Sequence, residues 1–467
     1  MLDYSLKIGL LPIRRDLADA KTRKGIFEPA KAEDNKNHII KYIRDNFTDE
    51  KTTFTDLEWL NDEGMLISEF ECAKVRDYLK KENVDAIFLI NCNFGNEEAA
   101  GQIAKMMQLP TLLWGPQDMR FDADGTRYTD CQCGLFAISK QLQRYHVPFT
   151  YINNCPVEDK AFKDGLLSFL SVASMVKNFK GLRITQVGTR LNPFKSVMSN
   201  ELELTEKFGF NMQTVNMASA QKRLEELLSE RHDDLVNDVK DLKKKYDVAG
   251  LDDDTLMRML TFVYYYKEVF ENTDADVLST ECWTSMPLAF KASPCLAMSI
   301  LYDMGYIVTC ESDIHGAVTN ALLMCAGRGK TPPLFGEFTC RNPKNENSEL
   351  LWHCGPFPYS MKHEEVSASL YNTKPSFRAK DGKYTIARFQ GGNGEYSLLG
   401  GEFNTTDGPL TFGTYMWAEF KDLDVLEKKL INGPYIHHMS ELYGEYSNEL
   451  EEFCKYIPGL TFDALEK

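Results

Sequence analysis

Short apolar runs alternate with amphipathic stretches along the first two thirds of the chain. Residues 6–12, 84–90 and 110–115 are apolar runs bounded by polar or Gly-bearing loops, and each predicts a buried strand. Between and after them, apolar residues recur at helical spacing over about 38–47 (Ile39, Ile40, Ile43, Phe47), 68–82, 97–107 and 162–180. Strands separated by helices of this length predict βαβ units and a parallel sheet. The pattern restarts at 181–188. Helices are expected at 201–208, 221–229, 233–246, 256–272 and 293–304, and strands at 275–280 and 306–309. After about Gly327 the texture changes to alternation, turns and clustered glycines (Gly391, Gly392, Gly394, Gly400, Gly401), which predicts a sheet or barrel. Residues 440–457 read as a closing helix. The fold expected is α/β: two αβα domains with parallel sheets, 1–172 and 173–335, then a mainly β, barrel-like domain, 336–467.

One stretch concentrates polar groups where such folds bind ligands. In YIVTCESDIHG (residues 306–316) an apolar run stops at Cys310, Glu311, Asp313 and His315 follow, and a helical pattern begins at Ala317. That is a strand, an acidic turn and a helix, and open α/β sheets bind beyond the carboxyl ends of their strands. The strand at 275–280 ends similarly, in Glu281-Cys282-Trp283. No GxGxxG, GxxxxGK[ST] or GxSxG occurs, so the dinucleotide, P-loop and nucleophile-elbow classes are disfavoured.

Composition narrows the partners. The 467 residues carry a formal charge of −16, which repels phosphate backbones and anionic lipid. No nucleic acid and no membrane partner is expected, and no apolar run approaches the ~20 residues of a membrane span. The 12 cysteines have no framework spacing, and charge stands where an apolar leader would begin. The expected location is the cytoplasm.

Carboxylates and late histidines are the remaining chemistry. Glu281, Glu311, Asp313, His353, His437 and His438 could form an oxygen-rich open site suited to Mn²⁺ or Mg²⁺. Each has a plainer reading: Asp313 as a helix N-cap, Glu281 as a solvent carboxylate, the histidines as core residues. On an extended segment His437 and His438 point to opposite faces, so only one of the two would meet a given site.

Three motifs taken together resemble a known family. CESDIHGAVTNALL (310–323), WHCGPFP (352–358) and GPYIHHMSELYGE (433–445) are similar to the L-fucose/L-arabinose isomerase superfamily, especially its fucose isomerase-like branch; VGTRLNPF (187–194) and ECWTSMP (281–287) fit too. The resemblance implies two Rossmann-like domains and a mainly β C-terminal domain. It implies a homo-oligomer, often a hexamer, and Mn²⁺-dependent aldose–ketose isomerisation of a free monosaccharide through an enediol, with Mg²⁺ or Co²⁺ as substitutes. The substrate could be a deoxy, pentose or acidic, sulfonated sugar. By the same resemblance Asp313 and His438 (or His437) are metal ligands. The helix before 310 lacks the family's Glu, and Glu281 is the remaining candidate for the first acid. Glu281 and Asp313 are then the expected acid/base pair and Glu311 an outer residue that orients the site. Trp283, His353 and His437, with Arg14 and Arg190 in strand-end loops, are the expected substrate contacts. The competing classes are a sugar-binding sensor without turnover and a metal-dependent carbohydrate lyase or hydrolase.

Overall fold

The structure, a computed structural model, describes residues 1–19, 22–118, 121–248 and 250–465. The chain forms two compact units, Tyr4–Lys177 and Asn178–Lys467, the latter including Met1–Asp3.

The first unit is a five-stranded parallel sheet in the order Thr52–Thr55, Leu6–Ile13, Ala86–Asn91, Thr111–Trp114, Thr150–Tyr151. Alternate residues of each strand feed opposite cores. Leu6, Ile8, Leu10, Phe88, Ile90 and Trp114 face Ile39, Ile43, Phe162 and Phe169, while Leu11, Ile13, Ile87, Leu89 and Leu113 face Val75, Leu79, Ile103 and Ile138. A sheet covered on both faces explains why its strands read as unbroken apolar runs. The helix expected over 38–47 starts earlier, at Pro29, because proline is well tolerated in a first helical turn. Helix Cys131–Arg144 crosses the loop after Asn91 so closely that a Cβ on Gly134 would lie 1.8 Å from the Phe94 carbonyl oxygen. Gly134→Ala is expected to destabilise this unit by about 1–3 kcal/mol, despite alanine's better helix propensity. A lower urea midpoint would record it.

The second unit begins with a four-stranded parallel sheet, ordered Ile307–Thr309, Val277–Thr280, Arg183–Val187, Asn211–Val215. It continues into a closed six-stranded antiparallel barrel built from strands Leu334–Arg341, Ser348–His353, Lys383–Gly392, Glu395–Thr406, Thr414–Glu419 and His438–Tyr443. The expected fold class, two parallel α/β sheets followed by a barrel, is the one observed. One expectation needs correction. Residues 440–443 belong to a strand, and the helix is only Ser447–Cys454. The local helical pattern there yields to ladder bonds on both sides, with strands 334–341 and 383–392.

Helix Ile314–Ala326 joins sheet and barrel. All its residues are buried, with contacts to strands of both. A helix that is apolar all round can be satisfied only in such a place. Thr319 Oγ1 accepts from the Phe389 amide of the barrel at 3.0 Å, and Asn320 Nδ2 donates to Thr309 Oγ1 at the end of a sheet strand at 3.2 Å. Among the described residues no helix is long and apolar enough to cross a membrane.

Candidate metal centre

Sheet register gathers the polar strand ends. Val187 pairs with Thr280 and Ser279 with Thr309, so Gly188, Glu281 and Cys310 leave the sheet side by side. The turn after Cys310 is strained. Glu311 and Ser312 both take left-handed backbone, at φ 61° and 56°, which costs non-glycine residues about 1–3 kcal/mol each. Ser312 Oγ holds the turn by donating to the Thr189 carbonyl at 2.9 Å. Asp313 then caps the buried helix, accepting from the Gly316 amide at 2.9 Å.

The barrel supplies the partners. Arg388, fully buried, grips Asp313 with two hydrogen bonds, Nη1–Oδ2 2.5 Å and Nη2–Oδ1 3.0 Å, and is itself held by Gln390. His438 Nδ1 lies 3.0 Å from Asp313 Oδ2. Burial favours a neutral Asp313, but Arg388 and His438 outweigh it and hold the carboxyl well below the usual range. An imidazole that gives its Nδ1 proton to a carboxylate presents a basic Nε2, the arrangement common behind metal-bound histidines.

His438 Nε2 faces Glu311 Oε2 at 3.1 Å, yet the two are not aligned as a hydrogen bond, and neither has another. His353 Nε2 is also buried without a partner; the Cys354 amide donates to Nδ1 at 2.9 Å, so ligation through Nε2 requires the Nδ1–H tautomer and the loss of that contact. Glu311, His353 and His438 each bring one ligand atom to within 4.8 Å of the other two. A buried carboxylate and two buried imidazoles gathered in this way fit a divalent cation, because the Glu311–His438 ion pair still leaves these groups short of aligned hydrogen-bond partners. Trp283 Nε1 satisfies the other oxygen, Glu311 Oε1, at 3.0 Å. Burial opposes charge on both Glu311 and His438. Even so, their mutual attraction, with that of Asp313 and His353, keeps Glu311 below the usual carboxylate range and pushes His438 up to about 9.

Residues 20–180 match the family model described as the N-terminal domain of fucose/sulfoquinovose isomerase. Across the chain, sulfoquinovose isomerase of Priestia megaterium is 25% identical over 419 residues, 86% of this chain and 92% of the relative. The Alkalicoccus urumqiensis sulfoquinovose isomerase is 24% identical over 377 residues, 79% and 83% of the two chains. The N-terminal part of the chain thus matches the fucose/sulfoquinovose isomerase family, and the chain as a whole is distantly similar to members of that family. That likeness supports an isomerase enzyme.

The other expected residues are distributed as follows. Glu281 is buried; the Thr189 amide (2.9 Å) and hydroxyl (3.2 Å) donate to its Oε2, and the Ser285 hydroxyl donates to Oε1. It therefore shares the 188–194 loop with the Glu311 turn, although it is not among the three converging groups. Trp283 is 37% exposed, and Phe194 bridges it to His438, with centroids 5.5 and 6.4 Å away. Arg190 donates through Nη1 to the Leu191 (2.7 Å) and Phe194 (3.1 Å) carbonyls, stiffening that loop. Arg14 belongs to the first unit, where its guanidinium forms a two-point pair with Glu63. The expected divergence of His437 and His438 is not observed: residue 437 lies in a bend just before the strand, and the two rings pack with centroids 4.6 Å apart, His438 fully buried, His437 half exposed and held down to about 4 by burial and by its charged neighbour.

Two residues of the centre escaped the sequence reading, Arg388 and Glu337. Glu337 pairs with His438 across the barrel, and its Oε2 is 3.7 Å from His438 Nε2 and 3.5 Å from His437 Nε2. Burial pushes its carboxyl up. Glu337, His437 and His438 thus make a second, more open group of possible ligands on the solvent side.

Proposed function

We propose that the protein interconverts an aldose and its ketose on a free monosaccharide, moving a proton between C1 and C2 through an enediol with the help of a divalent cation. The observation that carries the reading is that Glu311, His353 and His438, all buried, bring ligand atoms within 4.8 Å of one another, while Glu311 Oε2, His353 Nε2 and His438 Nε2 make no aligned hydrogen bond. These three side chains would hold the cation. A cation there supplies a Lewis acid that acidifies a C–H beside a carbonyl and neutralises charge building on neighbouring oxygens. Two imidazoles with one carboxylate favour Mn²⁺ or Co²⁺ over Mg²⁺, which prefers oxygen alone.

The chain's own groups divide the remaining work. Asp313 has its oxygens committed to Arg388, Gly316 and His438, so we assign it to orienting His438. Proton transfer falls to Glu337, raised by burial and open to the solvent side, while Glu281, its oxygens held by Thr189 and Ser285, fixes the bordering loop. Trp283 offers an aromatic face to a sugar ring.

The relatives named sulfoquinovose isomerase support a sulfonated hexose as substrate. In the second unit Arg388 is spent on Asp313, and we assign Arg190, in the loop that borders the site, as the cation for such a group. Arg190→Met is expected to raise KM for a sulfonated hexose roughly 10–100-fold, the worth of a charge-assisted hydrogen bond, and to change KM for a neutral sugar little. Steady-state kinetics on both sugars check it.

The reaction itself is tested with EDTA-stripped protein and a panel of aldoses in D₂O, with and without Mn²⁺. Metal-dependent ketose formation, with solvent deuterium appearing at the carbon that receives the proton, is expected. Tight sugar binding with no turnover under either condition would sink the isomerase reading in favour of a sensor.

A further inference from the structure

Directly behind the Glu311 turn, four cysteines from four different elements converge. Cys282 follows strand 277–280, Cys295 opens helix Cys295–Asp303, Cys310 follows strand 307–309, and Cys354 follows strand 348–353. The Cys310 thiol donates to Cys282 Sγ at 3.0 Å, and Cys295 and Cys354 lie 3.6 Å apart. The two pairs adjoin, because Cys310 of one and Cys354 of the other bring their ligand atoms within 4.8 Å of each other. Cys310 and Cys354 also bring ligand atoms within 4.8 Å of each other and of His353. All four are free thiols; three are fully buried and Cys354 is partly so. Other buried cysteines behave differently: Cys72 sits in an apolar core of the first unit, where its thiol donates to the Ala99 carbonyl at 3.4 Å.

Burial of a lone thiol needs no explanation, since cysteine packs like a small hydrophobe. Four thiols brought together are another matter. A tetrahedral Zn²⁺–thiolate centre has bonds of about 2.3 Å and spaces its sulfurs roughly 3.8 Å apart. The Cys295–Cys354 pair already matches that edge, and the Cys282–Cys310 pair reaches it by opening less than about 1 Å. Charge is also provided for. Lys374 interacts with all four sulfurs, so its ammonium offsets part of the excess negative charge of a divalent cation held by four thiolates.

We propose that Cys282, Cys295, Cys310 and Cys354 form a second metal site, a thiolate centre for a soft cation of the Zn²⁺ and Cd²⁺ class, separate from the Glu311–His353–His438 set. Cation binding releases the thiol protons to solvent. Because Cys310 and Cys354 are chain neighbours of Glu311 and His353, a filled thiolate centre clasps the two turns that carry those groups. The site stands on the sulfur geometry alone and holds whatever sugar chemistry the neighbouring centre performs.

The test uses full-length protein, reduced and freed of metal, titrated with Cd²⁺. Thiolate-to-cadmium charge-transfer absorption should rise to a single equivalent and then stop, and cadmium NMR on the unmutated protein should give a resonance in the four-sulfur range. Cys295→Ser and Cys354→Ser should each remove most of the stoichiometric band yet leave Mn²⁺ binding, read by electron paramagnetic resonance, unchanged. Glu311→Gln should do the reverse. No band, a band that grows over several equivalents as scattered thiols such as the exposed Cys133 and Cys340 bind, or cadmium spectra with no resonance in the four-sulfur range would overturn the proposal.

Discussion

Glu311→Gln lowers kcat/KM by about three orders of magnitude and weakens Mn²⁺ binding strongly, while the protein melts almost where it did. The substitution keeps the volume and leaves an oxygen for Trp283 Nε1, so the packing around residue 311 survives. It removes the negative charge facing His353 and His438. A Lewis acid in such a site contributes several kcal/mol to the transition state, and each 1.36 kcal/mol is tenfold in rate. Asp313→Asn separates the two acids. Its oxygens serve Arg388, the helix cap and His438, so its loss is expected to disturb stability as much as rate. Kinetics paired with thermal melts of both variants check the division; equal losses of stability in the two would contradict it.

Arg388→Met has the largest expected effect on stability. Arg388 and Asp313 are both fully inaccessible to solvent and joined by two hydrogen bonds. Removing one partner of such a pair strands the other charge in a dry interior, at a cost of about 3–5 kcal/mol. For a unit of this size that corresponds to a melting-temperature drop of roughly 6–20 °C. The double variant Arg388→Met, Asp313→Asn should recover part of the loss, since a neutral amide does not need the guanidinium. Calorimetry of the two singles and the double gives the coupling directly. Additive losses would mean that the pair does not act as a unit.

Much of this architecture is legible because sheets buried on both faces leave unbroken apolar runs. The strand ends at Glu281 and Glu311 could be found from those runs alone, whereas the alternation expected at His437–His438 fails because the strand begins only at His438 and both rings reach Glu337. What was not legible depends on long-range pairing. Glu337 meets His438 because two antiparallel strands distant in sequence share a register, and nothing local to Glu337 signals it. Arg388 lies in an ordinary-looking alternating strand, where a buried arginine is intelligible only once Asp313 is seen opposite. The same pairing turned 440–443 from an expected helix into a strand. Glu311 was expected behind the site because Asp313 occupies the more familiar position in the motif. The left-handed turn at Glu311 and Ser312, invisible in sequence, brings the Glu311 carboxylate to the imidazoles.

The most direct measurement is anomalous scattering at the manganese edge from crystals of the protein soaked in Mn²⁺. A single strong peak bonded to Glu311, His353 and His438, and lost in Glu311→Gln, is the predicted result. A peak elsewhere, or no peak in protein that isomerises sugar after exhaustive chelation, would contradict it.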